Sequence, residues 1–267
     1  MMDERSRIKP LDELTLMDDY MFAAVMRNAE NLKPLLEYIL SIKIQKIEFI
    51  EPQKTEKEGY GTHGIRLDLY AEDEENQIFN VEVQTTLKKH LPRRMRYYQS
   101  VIDVNILAPG VDYRNLRKSF VIFICNHDPY DQGRYIYTFE NRCLEDPELE
   151  FGDGTQKVIV NTKGTVGEIS EELKELLVYL DKGKTAGAYT QQLDNAVRLV
   201  KSSEERRHEY MVMMIRDMEM REEGREEGKI LGTVETMRDD GKDDKEIIKR
   251  LMKKYNLNRL LVKRLNQ

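Results

Sequence analysis

The sequence predicts a mixed α/β fold: one sheet flanked by helices, followed by a C-terminal helical extension. Three observations carry this. Strand-length apolar runs alternate with amphipathic helical segments over the first 165 or so residues. One of them, "SFVIFIC" (119–125), is apolar throughout, as expected of a strand buried on both faces. From "GEISEELKELLVYL" (167–180) onward the strand signals stop and only helical periodicity continues.

The elements follow in order. After a polar lead-in, "TLMDDYMFAAVMRN" reads as a helix with Leu16, Tyr20, Ala23 and Ala24 on one face and Asp18 or Asp19 in its first turn. "NLKPLLEYILSI" reads as a second, with Asn31 as its cap and Pro34 early in it. "IQKIEFIEPQ" alternates like a strand. "HGIRLDLYAED" and "QIFNVEVQTT" then form a hairpin across an acidic, polar turn. "LPRRMRYYQSVIDVNIL" is a helix with Met95, Tyr98, Ile102 and Ile106 as its buried stripe. "KSFVIFICN", "GRYIYTFEN" and "KVIVNTKG" are three further strands.

Beyond them a single long helix is expected over about 188–222, with Met211, Met214, Ile215 and Met218 at helical spacing. Gly224, Gly228 and Gly232 follow four residues apart. They are either one face of a helix, open to a second backbone, or a frayed linker. The tail reads as two short helices. The expected division is therefore a core over 1–165, a helical extension packed on it over 166–222, and a glycine-spaced helix with a short tail over 223–267.

Composition narrows the function. Of 267 residues 34% are charged, in alternating sign, which fits long solvated helices. The net charge of −6 gives no overall attraction to a polyanion, so a nucleic-acid contact needs a local basic patch or a bridging cation. Cys125 and Cys143 lack CxxC partners, which argues against structural zinc and for a reducing compartment. No apolar run reaches the length of a membrane span, and the charged N-terminus lacks the apolar stretch of a signal peptide. A cytoplasmic protein with no membrane partner is expected. The four histidines show no metal-ligand spacing, and neither a P-loop nor a GxSxG turn is present.

The hairpin carries the chemistry. The midpoint of positions 68 and 82 is 75, inside the polar turn, so Asp68 and Glu82 become cross-strand neighbours. Alternation places Gln84 on their face and turns Leu67, Leu69, Val81 and Val83 the other way, into the core. Opposed carboxylates repel, and a hard divalent cation, Mg²⁺ or Mn²⁺, removes that repulsion. The alternative is that both acids sit on the wet face of an ordinary hairpin.

An Asp on one strand and Glu-x-Lys on the next is the signature of PD-(D/E)XK nucleases. With Glu-Val-Gln (82–84) in its place, the stretch resembles the Rpn family of recombination-promoting nucleases, also described as PD-(D/E)XK nuclease family transposases. "DDYMFAAVM", "RRMRYYQSVIDVNILAPGVDYRNLRKSFVIFI", "VKSSEERRHEYMVM" and the Glu-Gly repeats are similar to that family's segments, in order, across most of 15–235. The resemblance implies a restriction-endonuclease-like core and Mg²⁺-dependent DNA endonuclease activity. It further implies Asp68 and Glu82 as metal ligands, Gln84 at the superfamily's Lys position, and Asp19 as the acid of the first helix. Arg94 is either a phosphate contact or an ordinary surface arginine. Gln84→Lys, which restores the superfamily residue, is expected to retain or raise cleavage. Two other readings stand beside this one: a catalytically degenerate fold dimerising through its Met-rich and glycine-spaced helix, and a regulator using the C-terminal helices on DNA.

Overall fold

The computed structural model describes residues 9–49, 69–86, 90–107 and 109–255. Two compact units divide the chain, one running from Lys9 to Glu204 and the other containing the chain from Glu205 onward.

The first unit begins with α1 (Asp19–Met26) and α2 (Ala29–Leu40), followed by β1 (Ile47–Phe49), β2 (Leu69–Asp73) and β3 (Ile78–Gln84). Then come α3 (Leu91–Ile106), β4 (Ser119–Cys125), β5 (Ile136–Phe139), β6 (Thr155–Asn161), α4 (Glu171–Lys182) and α5 (Ala188–Ser202). The strands form one sheet in the order β1-β2-β3-β4-β6-β5. β3, β4 and β6 run parallel at its centre, and the remaining pairs are antiparallel. The α3 crossover joins the parallel pair β3 and β4, as parallel strands require.

All seven residues of β3 and of β4 are buried, so both faces of the central sheet are covered. One face is closed by α3, whose Leu91, Met95, Tyr98 and Ile102 pack with Tyr70, Ile78, Val121, Phe123, Cys125 and Ile159. The expected α3 stripe is thus present, with Ile106 at its partly buried margin. The alternate residues Leu69, Val81 and Val83 are buried on the other side, as alternation requires, and Phe79 stacks on Phe120 there. α1 meets the sheet at β3, α2 meets it at β1, and α5 packs on α1, α2 and α4. Gln192 Nε2 donates to Asn31 Oδ1 at 2.9 Å and so ties α5 to α2.

Several expectations are corrected. α1 buries Met21, Phe22, Val25 and Met26, not the Tyr20 and Ala23 face, because the helix starts at Asp19 and the preceding turn already buries Leu14, Leu16 and Met17. Asn28, not Asn31, caps α2, its side chain accepting from Glu30 N at 3.0 Å; Asn31 lies inside the helix and donates to Val25 O. The single long helix breaks at Ser203, whose backbone is extended and separates α5 from α6 (Glu204–Asp239).

α6 runs unbroken through Gly224, Gly228 and Gly232, so those glycines are helical and the linker alternative falls. In the second unit, Ile230 and Val234 of α6 pack against Ile247 and Leu251 of α7 (Asp244–Tyr255). Gly241, at φ 72°, makes the turn between them, its N–H and that of Lys242 capping the last carbonyls of α6. The second expected tail helix lies outside the described residues. No helix among the described residues is long and apolar enough to cross a membrane.

Candidate metal and phosphate site

The hairpin register sets the site. Leu69 pairs with Val81 and Glu72 with Ile78, so the pairing is centred on Glu75, as the sequence spacing requires. Asp73 fixes the turn. Its carboxylate accepts from the backbone N–H groups of Glu75 at 3.0 Å and Gln77 at 2.8 Å, and from Gln77 Nε2 at 2.9 Å. Asn76 supplies the positive φ of 60° that closes the turn. Asp68 and His63 lie outside the described residues.

Glu82 is central in β3 and only 2% exposed, which overturns the wet-face alternative for that residue. A carboxylate taken out of water needs charge and hydrogen bonds around it. Arg94, in the first turns of α3, provides them: Nη2 donates to Glu82 Oε2 at 2.7 Å, and Nη1 donates to Gln84 Oε1 at 2.6 Å. The same guanidinium donates to the Tyr98 hydroxyl at 3.0 Å. Burial pushes the Tyr98 phenol up to about 12, so it stays protonated in this network at neutral pH.

The guanidinium lies 4.9 Å from the ring centre of Phe123 and 5.4 Å from that of Tyr98. Two aromatic faces therefore support the cation as well as the acid beneath it. Gln84 is held in one orientation, because Nε2 donates to Thr86 O at 2.9 Å while Oε1 accepts from Arg94. Toward the site it presents an oxygen, not a donor.

The position of this cluster is informative. Gln84, Cys125 and Asn161 end three adjacent parallel strands, and they are register partners. Open α/β sheets bind ligands outside the carboxyl ends of their parallel strands. Glu82 lies one residue pair inside that edge, and the Arg94 side chain, 30% exposed, reaches the surface there.

Of the residues singled out from sequence, the structure brings Glu82, Gln84 and Arg94 together. Asp19 opens α1 as an exposed residue on the helix that packs on β3. Its neighbour Asp18 is engaged locally, accepting from Thr15 N at 2.7 Å and pairing with Lys9 at 2.7 Å. Sequence reasoning missed the roles of Tyr98 and Phe123, assigning both to the core. The Arg94-x-x-x-Tyr98 spacing was a usable signal, since residues four apart share a helix face; Phe123 offered none.

The donor chemistry fits a hard divalent cation. A carboxylate oxygen and an amide oxygen converge on one positive group, which here is the guanidinium. Among the described residues no group of three His, Cys, Asp or Glu could hold a metal.

A mixed sheet with an acid on its central strand, facing a crossover helix at the carboxyl edge, defines a PD-(D/E)XK nuclease-like fold. Residues 16–247 match the family described as PD-(D/E)XK nuclease family transposase, and the chain belongs to that family. No curated protein and no solved structure matches it.

Proposed function

We propose that this protein is a divalent-metal-dependent DNA endonuclease that hydrolyses phosphodiester bonds and serves recombination or mobile elements. The observation that carries the reading is the convergence of the buried Glu82 and of Gln84 on a single cation at the carboxyl edge of the parallel strands. The sequence spacing about Glu75 is the ground for proposing Asp68 as the second acid, which with Glu82 would hold Mg²⁺ or Mn²⁺. When bound, such an ion lowers the pKa of a water and neutralises a phosphoryl oxygen. The net charge of −6 makes that contribution important, because the protein's overall field repels DNA.

The chain's own residues do the rest. Gln84 Oε1 accepts a hydrogen bond from a water or from Arg94. Arg94 offers a planar fork to a phosphate. Asp19 is proposed as a second carboxylate at the site, contributed by α1. Supercoiled plasmid should be nicked with Mg²⁺ or Mn²⁺ and left intact with chelator. Glu82→Ala should abolish nicking; nicking by that variant at the wild-type rate, in protein free of contaminating nuclease, overturns the reading.

One observation favours a second reading, a catalytically degenerate fold acting as a dimeric interaction or DNA-binding protein. α6 exposes Met211, Ile215 and Met218 at helical spacing, with the open glycine face beyond them. We propose a homodimer through this helix, and it is compatible with either reading because two sites related by a two-fold axis can address both strands. Two unpaired cysteines fit a cytoplasmic protein. Light scattering on the full chain checks the dimer, and a monomer at tens of micromolar (roughly the range of weak self-association) removes it.

A further inference from the structure

The guanidinium of Arg94 is bonded to the two described oxygens that a metal would need. It is held there by two hydrogen bonds of 2.7 Å and 2.6 Å and by two aromatic faces, yet its side chain remains 30% exposed. The side chain is thus held at the site and in contact with solvent at once. Glu82, by contrast, is fixed in the middle of β3 with its side chain 3% exposed. We propose that Arg94 is a displaceable counter-cation: it neutralises Glu82 in the metal-free protein, yields Glu82 Oε2 to an arriving divalent cation, and swings to the mouth of the site to meet a phosphate.

The inference rests on the metal-site reading above and adds its regulation. A buried carboxylate left without a counter-charge destabilises the fold, so a metal-dependent site needs a substitute cation whenever the metal is absent. Arginine suits this task because it never loses its charge and its fork can hold Glu82 and Gln84 at once. Tyr98 completes the device. Its hydroxyl accepts from Arg94 at 3.0 Å and so helps to aim the guanidinium at Glu82. The superfamily's lysine is replaced by Gln84, and the mobile positive charge comes from the facing helix instead. Metal and arginine then compete for one oxygen, and removing the arginine strengthens metal binding while weakening cleavage. A merely structural arginine predicts the opposite sign for binding, because its loss would loosen the acid.

The experiment is calorimetric titration of the full-length protein with Mn²⁺ alone, comparing wild type, Arg94→Gln, Arg94→Lys and Glu82→Gln, with plasmid nicking as the companion readout. Arg94→Gln keeps a donor but no charge, and should bind Mn²⁺ about tenfold more tightly while nicking more slowly. Arg94→Lys, a point charge that cannot hold both oxygens, should fall between. If circular dichroism shows that Arg94→Gln does not fold, Arg94→Lys alone decides, by binding more tightly than wild type or not. Equal or weaker binding by the folded Arg94 variants, with binding still lost in Glu82→Gln, overturns the counter-cation and leaves the metal site standing. Undiminished binding by Glu82→Gln overturns both.

Discussion

Glu82, Gln84 and Tyr98 all accept from Arg94, so one guanidinium ties the buried acid, the amide and the phenol together. Its geometry reverses the expectation for Gln84→Lys. The amide oxygen of Gln84 accepts from Arg94, so a lysine there brings an ammonium against a guanidinium. Like charges within a few ångströms in a partly buried site cost several times what they do in water. Gln84→Lys in the wild-type background should therefore lower the urea midpoint and slow nicking. Adding Arg94→Gln should restore much of the stability, because the lysine then supplies positive charge beside Glu82 without facing the guanidinium. A double-mutant cycle in the two residues checks this, and additive losses would show that the sites do not communicate.

At the scale of elements, α6 is the least explained part of the chain. Helical glycine costs about 1 kcal/mol relative to alanine, and α6 contains three that are exposed and fully helical. An added Cβ at Gly224, Gly228 or Gly232 would meet nothing within 4 Å. In an isolated chain the triple Gly→Ala variant should therefore raise helicity and thermal stability of this unit, by about 1 kcal/mol per site. Should the glycines admit a second copy's backbone, the same variant weakens the dimer while still raising helicity. Circular dichroism combined with light scattering separates these outcomes. The break at Ser203 had a signal in "VKSSEERRHEY", since a serine followed by two glutamates is the pattern of a helix N-terminus, but the helical periodicity on both sides hid it. The buried face of α1 was misplaced for a related reason. Periodicity gives a face only once the starting residue is known, and a shift of a turn moves every assignment.

For the molecule as a whole, the face of the sheet under α3 concentrates ionisable groups that burial keeps neutral. Tyr70 and Tyr98 are both pushed up to about 12 from 10.0, and the Cys125 thiol to about 12 from 9.0, in each case chiefly by burial. A folded pKa above the unfolded one stabilises fully below the unfolded value. Above it the unfolded chain releases its proton first, and that stability drains away until the folded group also ionises. Urea midpoints should thus be level up to about pH 9 and fall steadily from there toward about pH 12. Tyr98→Phe should flatten the upper part of that fall. An unchanged slope in that variant would place the titrating groups elsewhere.

The sequence by itself determined the class of the fold, the order of its elements through β6, and the hairpin register, because these depend on local periodicity and on turn chemistry between neighbours in the chain. Alternation in "NVEVQ" and a turn centred on Glu75 were enough to pick out Glu82 and Gln84 and to send Val81 and Val83 the opposite way. Only the tertiary structure decided that the face bearing Glu82 is covered rather than wet, and that Arg94 is its partner. Nothing in a strand's own pattern reports what crosses above it. The bond from Arg94 to Glu82 exists because α3 returns over the parallel pair at an angle set by Met95, Tyr98 and Ile102 packing on Val121 and Phe123. That packing is a property of the whole core, so the charge that completes the site could be read only once the core was assembled.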